Sequence, residues 1–534
     1  MTVWITRRAP DVVAAEAAAV DPDLPLAGAR LAVKDNIDVA GLPTTAGCPA
    51  FAFEPGTTAT VVRRLVAAGA TVAGKTNLDQ FATGLVGTRS PYGVVANPLA
   101  PGHVSGGSSS GSAVAVALGE ADIALGTDTA GSGRVPAAFC GVVGLKPTWG
   151  WLPVTGVLPA CRSFDCVSVF ARTVAGAAAA VEAAAGFDPD DPWSRPPLPG
   201  SIGPVRRVGV PGADVLEKWC DRPVAEAFAA LDLAALGYGV QVVGLDDYFE
   251  AGDLLYAGAL VAERHAAVGA FIEAHPDDVD PSVGRIITAA GRLTASALAA
   301  DQERLAVLRR RAASVWDQVD AIVMPTAPTH PTVDQVAADP IGVNAALGRF
   351  SNGCNLLDWC AAAVPAGTRA DGLPFGVTVL GPAWSDRAVW AVGAAVAGQA
   401  APPVPAPPGL VQVAVCGAHL DGQPLNHQLT DRGAHLVRRT STAPAYRMVA
   451  LDTVPPKPGV VRVAEGGAAL EVEVWALDAA GFGAFVDEVP APLVIGTVEL
   501  ADGRTVNGFL CEPHGVADGT DITSYGGWRG WLAR

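Results

Sequence analysis

The chain has 534 residues, of which 50% are hydrophobic and 17% charged, and its formal net charge is −17. That length exceeds one ordinary domain, and the apolar content excludes intrinsic disorder. The acidic balance excludes a surface built for nucleic-acid phosphates. Arginine supplies all but five of the 36 basic residues, the lysines being Lys34, Lys75, Lys146, Lys218 and Lys457. A guanidinium does not release its proton in a protein, so a proton-transferring side-chain amine has to be one of those five.

The opening MTVWITRRAPDVV carries no apolar run of signal-peptide length, and no apolar tract further on reaches bilayer length. A cytoplasmic protein without membrane contact is therefore expected. The nine cysteines are scattered, odd in number and free of CxxC pairs, so neither a disulfide framework, a metal site nor a cofactor is expected.

In chain order, residues 28–33 read as a strand, 58–68 as a helix and 70–73 as a strand. Residues 112–118 read as a helix, 123–125 as a short strand, 299–315 as a helix, and 321–324 as a buried strand ended by Pro325. This alternation predicts an α/β domain over residues 1–400, a sheet covered by helices. The Pro-rich stretch 188–204 reads as a surface loop inside it. Residues 401–409 hold five prolines and read as a stiff linker. Beyond it, 412–416, 446–451, 459–463, 469–475 and 496–500 read as strands between Gly/Pro turns, giving a small β-rich α+β domain over 410–534.

The chemistry concentrates between residues 102 and 148. Gly102-His-Val-Ser-Gly-Gly-Ser-Ser-Ser-Gly-Ser-Ala113 and Leu125-Gly-Thr-Asp-Thr-Ala-Gly-Ser-Gly-Arg134 are two Gly/Ser-rich turns, and Gly144-Leu-Lys-Pro-Thr148 follows them. Such turns allow close backbone approach and present N–H groups to an anion or oxyanion. A flexible linker is one reading, but apolar patterns abut both sides. A phosphate loop is another, but neither GxxxxGK[ST] nor GxGxxG is present. Gly107-Ser-Ser-Ser-Gly111 matches the nucleophile elbow GxSxG around Ser109, yet Asn97-Pro-Leu-Ala-Pro-Gly102 cannot supply the strand that an elbow needs. In the fourth reading Ser132 is the nucleophile.

The whole stretch, with Ala32-Val-Lys-Asp-Asn36 and Gly74-Lys-Thr-Asn77, strongly resembles the amidase signature family, and the resemblance runs over most of residues 25–385. It implies that the sheet is mixed and that a Ser–Ser–Lys triad hydrolyses amides. Ser132 would be the acyl acceptor, Ser108 the bridging serine after a cis Gly107–Ser108 peptide, and Lys34 the base. The backbone amides of Thr129, Ala130, Gly131 and Ser132 would form the oxyanion hole. A lysine serves as base only when neutral, so burial must depress its pKa far below about 10.4. Lys75, Lys146, Asp128 and Arg134 are expected to be structural.

Ala130-Gly-Ser-Gly-Arg134, Ala40-Gly-Leu-Pro-Thr-Thr-Ala-Gly-Cys-Pro-Ala-Phe-Ala52 and Gly372-Leu-Pro-Phe-Gly-Val-Thr378 are similar to the allophanate hydrolase branch of that family. So is Val415-Cys-Gly-Ala-His-Leu-Asp-Gly-Gln-Pro-Leu-Asn426, in a C-terminal region that resembles the gamma-glutamyl cyclotransferase fold. The resemblance implies a small anionic amide substrate, a functional link to a biotin-dependent urea carboxylase, and a homodimer through the larger domain. Other small-amide hydrolysis, such as that of biuret, and an amidotransferase-like subunit stay open as alternatives.

An arginine suits the substrate carboxylate. Among Arg309, Arg310 and Arg311, in a helical run that lets only one side chain face a pocket, Arg311 is expected to read it. In relatives a tyrosine two turns earlier also contacts substrate; that register puts Glu303 there. Gly133 is expected to leave space beside Ser132. In the smaller domain His419 is the expected catalytic residue, with Asn426 and Tyr446 as lesser candidates.

Overall fold

The structure, a computed structural model, describes residues 2–196, 205–402, 410–453, 456–517 and 519–534. Packing divides them into two units, residues 2–196 with 205–402, and residues 410–534. Seven of the nine residues read as a linker, 403–409, and the end of the Pro-rich loop, 197–204, lie outside the described residues.

Among the described residues of the larger unit, eleven strands form one sheet. They are β1 (Trp4–Arg7), β2 (Arg30–Lys34), β3 (Thr71–Thr76), β4 (Ile123–Asp128), β5 (Val143–Lys146) and β6 (Cys166–Ala171), then β7 (Arg207–Val210), β8 (Gly239–Val242), β9 (Ala321–Pro325), β10 (Trp359–Thr368) and β11 (Pro374–Pro382). Their order is β1-β3-β2-β4-β6-β5-β10-β11-β9-β7-β8. β3, β2 and β4 run parallel and β6 antiparallel to β4, so the sheet is mixed. β4 and β6 are buried along their whole length, which is why β4 reads as a short apolar run rather than as an alternating pattern. Lys34 and Asp128 are the last residues of neighbouring parallel strands. Carboxyl edges of parallel strands are where open α/β sheets place ligands.

Of these eleven strands the sequence locates β2, β3, β4 and β9 to within a few residues, whereas β1, β5, β6, β7, β8, β10 and β11 were not predicted. The helix expected at 299–315 runs Ala295–Ala312 and then tightens to a 3-10 turn, Ala313–Asp317. In the smaller unit β12 (Val411–Val415), β13 (His435–Ser441), β14 (Tyr446–Leu451), β15 (Lys457–Arg462), β16 (Glu471–Leu477), β17 (Leu493–Glu499), β18 (Thr505–Cys511) and β19 (Thr520–Asp521) form two sheets. Their orders are β13-β16-β12-β18-β17 and β15-β14-β19. β13, β18 and the two-residue β19 were not predicted. β13 ends in Arg-Arg-Thr-Ser and β18 opens on exposed polar residues, so neither shows a sustained apolar alternation. Among the described residues no helix is long and apolar enough to cross a membrane, and no cluster of His, Cys, Asp or Glu has the makings of a metal site.

Candidate active site

Three segments converge beyond the carboxyl ends of β2 and β4. The first is Lys34, fully buried, whose Nζ donates to Ser108 Oγ and to Thr127 Oγ1 at 2.7 Å each. Burial brings its pKa down from 10.5 to about 7, against the opposing charges of Asp79, Asp128 and Asp165 and with help from the positive charge of Arg264. A buried ammonium loses its hydration, and no carboxylate among the described residues pairs with Lys34 directly to restore it.

The second segment carries Ser108. Its peptide with Gly107 is cis. Ser109, the elbow alternative, stands just before the helix Ser110–Ala117 and ties it to β4, donating to the Thr127 carbonyl at 3.2 Å and accepting the Thr127 N–H at 3.3 Å. Asp79 grips the same turn: its N–H donates to the Ser108 carbonyl at 3.1 Å, and its carboxylate accepts the N–H groups of Gly87 and Arg89. A Cβ at position 107 would collide with that carboxylate. Gly107→Ala is therefore expected to displace Ser108 and lower turnover by at least about tenfold while the far-UV spectrum stays unchanged. A full-rate Gly107→Ala enzyme would refute the positioning.

The third segment runs from Asp128 through Ser132 into the short helix Val135–Phe139. Arg134 closes a bidentate fork on Asp128, with Nε and Nη2 at 2.9 and 2.8 Å, and the pair is fully buried. Burial pushes the Asp128 carboxyl up, but the Arg134 charge wins and holds it below the usual range. Asp128 also accepts the N–H of Gly131 at 2.8 Å and of Gly133 at 3.0 Å. Thr129 is fixed by Asp165 at 2.5 Å, and Ser351 donates to the Ala130 carbonyl at 2.6 Å. Among the described residues Ser132 Oγ donates only to the carbonyl of Gly84, at 3.4 Å, near the outer limit of a hydrogen bond. So weakly held, the hydroxyl can turn toward Ser108.

Three expectations are corrected here. The Gly131 amide is engaged by Asp128, so it is not an oxyanion donor; the amides of Thr129, Ala130 and Ser132 have no acceptor among the described residues. Gly133 leaves no room beside Ser132, because a Cβ there would lie 2.5 Å from the Ser168 Cβ on β6. Its glycine serves close packing of the loop on the sheet. Arg311 lies on the outer face of its helix, 61% exposed and paired with Asp247 at 2.8 Å. Glu303 is exposed on the same helix. Arg309, also exposed, lies on the Leu356 carbonyl at 2.5 Å and over the Phe164 ring. Arg311→Ala is accordingly expected to leave kcat/KM within about twofold of the parent in a steady-state assay.

The buried cation that the sequence reading missed is Arg264, 2% exposed on the helix Ala262–Ala274. Its guanidinium donates to Thr83 Oγ1 at 2.9 Å, to the Ala82 carbonyl at 3.4 Å and to the Tyr256 hydroxyl at 3.2 Å, while its Nε is buried without a partner among the described residues. The next residue after Thr83 is Gly84, whose carbonyl holds Ser132. Phe81 and Ala82, just before, sit in left-handed backbone at φ 51° and 53°, a strained turn of the kind that clusters at functional sites. Tyr256 and Arg264 are eight residues apart, the same spacing as Glu303 and Arg311. A lone arginine among Leu260, Val261 and Val268 was the available signal for a buried cation.

An amine near neutrality, a bridging hydroxyl, a loosely held second hydroxyl and free amides form an array able to activate a serine and stabilise a tetrahedral oxyanion. The sequence model of the amidase family matches residues 3–390, and that of the allophanate hydrolase C-terminal domain matches residues 411–533. A urea amidolyase of Saccharomyces cerevisiae is 42% identical over 95% of this chain, which spans only 30% of that protein's length. A glutamyl-tRNA(Gln) amidotransferase subunit of Haloarcula marismortui is 35% identical over 70% of this chain and 96% of its own. The solved structure of Kluyveromyces lactis allophanate hydrolase superposes with a TM-score of 0.79 at 37% identity, covering 99% of this chain and 93% of that one. The chain thus belongs to the amidase family, with an allophanate hydrolase C-terminal domain following the amidase region.

Proposed function

We propose that the chain hydrolyses allophanate in urea degradation, with Lys34, Ser108 and Ser132 as the triad. The observation that carries this reading is the fully buried Lys34, its pKa brought to about 7 and its Nζ 2.7 Å from Ser108. Neutral Lys34 takes a proton from Ser108, which takes one from Ser132. Ser132 attacks the terminal carbamoyl carbon, and the amides of Thr129, Ala130 and Ser132 receive the oxyanion. The C–N bond breaks, the relay returns the proton, and ammonia leaves. Water then cleaves the acyl-enzyme to N-carboxycarbamate. Arg264, with the Tyr256 hydroxyl, reads the substrate carboxylate, which answers the unpartnered Nε beside the nucleophile turn. The substrate comes from a biotin-dependent urea carboxylase in the cytoplasm, and the larger unit forms a homodimer.

Ammonia release from allophanate, biuret, malonamate and glutamine tests the substrate. Allophanate is expected to show the highest kcat/KM; a higher value for biuret or glutamine would select the small-amide or amidotransferase alternative.

The smaller unit promotes loss of carbon dioxide from N-carboxycarbamate, with His419 as its proton-transferring group. The ring stacks on Phe509 and accepts an edge contact from Phe485. Burial lowers its pKa, which keeps the imidazole neutral until a proton is needed. Asn426 donates to the His419 carbonyl at 2.8 Å, and the Tyr446 hydroxyl accepts the Glu499 N–H at 2.8 Å, so both support the unit's frame. In His419→Ala ammonia release from the first step is expected to persist while the carboxylated intermediate lives longer, followed by 13C NMR. An unchanged lifetime would refute the role.

A further inference from the structure

We propose that Asp165 is a positioning residue for the oxyanion: by holding the Thr129 side chain it keeps the Thr129 N–H turned toward the carbonyl oxygen of the substrate. The role rests on Thr129 being an oxyanion donor.

The register of the sheet brings the two residues together. β4 and β6 are antiparallel, and Asp128 faces Cys166 in their last pair. One step further out, Thr129 leaves β4 opposite Asp165, which stands just before β6. Thr129 Oγ1 donates to Asp165 Oδ1 at 2.5 Å. The same carboxylate accepts the Ala160 N–H at 2.8 Å and the Cys161 N–H at 3.1 Å. Glu263, next to Arg264 on its helix, accepts the Ser163 N–H at 2.9 Å. The segment 160–165 is thus tied to its own turn and to that helix, and it gives Asp165 a fixed base.

Asn355 makes a second hold on the same two segments. Its Nδ2 donates to the Asp128 carbonyl at 2.6 Å and to the Phe164 carbonyl at 2.9 Å, and its Oδ1 accepts from Arg134 Nη2 at 3.2 Å. One buried amide, with donors and acceptor used, therefore ties the end of β4 to the residue before Asp165. The peptide between Asp128 and Thr129 is trans, so its C=O and N–H point in opposite directions. With the Asp128 carbonyl drawn to Asn355, the Thr129 N–H points away from Asn355, where it has no acceptor among the described residues. Asp165 then fixes the side-chain end of Thr129, and the residue cannot rotate about that peptide.

Asp165 is 4% exposed. A buried carboxylate close to a developing oxyanion opposes it by charge, so this placement carries a catalytic cost. Orientation offsets it, since a donor set in advance needs no reorganisation as the charge develops. If Asp165 served only to cap the turn at Ala160 and Cys161, the Thr129 hydroxyl would be dispensable.

Thr129→Val removes that hydroxyl and keeps the shape, and Thr129→Ser retains it. At about pH 9, above the acid limb of Lys34, kcat for allophanate is expected to fall at least about tenfold in T129V and in D165N. KM should stay within about threefold of the parent in both, and T129S should keep kcat within about threefold. The specific readout is the rate ratio between allophanate and its analogue with sulfur in place of the terminal carbamoyl oxygen. Sulfur is a weak acceptor, so a preset donor favours oxygen, and the ratio should shrink at least about threefold in T129V and D165N. T129V leaves the cap on Ala160 and Cys161 intact, so it carries the test even if D165N does not fold; a parental far-UV spectrum and Tm show that it is folded. Parental kcat in T129V, or a large oxygen-to-sulfur ratio that T129V leaves unchanged, overturns the positioning role alone. A ratio near one in the parent overturns the oxyanion reading and the positioning role together.

Discussion

Lys34→Ala is expected to release ammonia from allophanate at least about 10³-fold more slowly than the parent chain, and Ser132→Ala to fall by a similar factor. Both should keep the parent's far-UV circular dichroism. Because the residues act through one proton path, the double variant should be no slower than about the worse single one. Lys34→Arg is the sharper test. It preserves charge and nearly preserves length, but a guanidinium holds its proton throughout the working range and cannot serve as base. It should be as inactive as the alanine variant, and near-parental turnover in Lys34→Arg would sink the base assignment.

The pH profile follows with its sign. The active form has neutral Lys34, whose pKa burial brings to about 7. Above that value kcat/KM should be flat; below it, activity should fall about tenfold per pH unit as the lysine protonates. An acid limb centred near the ordinary lysine value would show that the amine is not desolvated as its surroundings require.

Lysine scarcity narrowed the base to five candidates before any geometry, and the resemblance to the amidase signature family picked Lys34 among them. An amine at the end of an apolar strand, in a chain that otherwise chooses arginine, asks for a reason that arginine cannot meet. The Gly/Ser turns around Ser108 and Ser132 were legible for a related cause, since residue type alone allows close backbone approach there. What stayed hidden depends on three-dimensional packing. Whether Gly133 opens space or fills it is decided by Ser168, which stands 35 positions away on β6. Whether the Gly131 amide faces an oxyanion or Asp128 is decided by a carboxylate that caps its own loop. The triple arginine at 309–311 drew the eye as a charge cluster, yet such a run on a helix is mostly a solvated face. Arg264, a single cation within an alanine-rich helix, reveals itself only once its neighbours are seen to be buried.

Arg264→Met is expected to lower kcat/KM for allophanate by about 10²–10³, the loss of a bidentate charge pair at a desolvated site. A neutral amide of similar size, which has no carboxylate to place, should lose far less. This ratio separates substrate reading from general damage, because a collapsed pocket would slow both substrates alike. The same variant carries a second signature. The positive charge of Arg264 helps depress the Lys34 pKa, so its removal should shift the acid limb of the rate profile to higher pH. Arg264→Lys keeps the charge but not the planar fork that holds Thr83 and the Tyr256 hydroxyl together. It should leave the limb nearly in place while raising KM for allophanate. If Arg264→Met slows both substrates equally and leaves the pH limb unmoved, Arg264 is only a brace for the turn at Ala82 and Thr83, and the carboxylate must be read elsewhere.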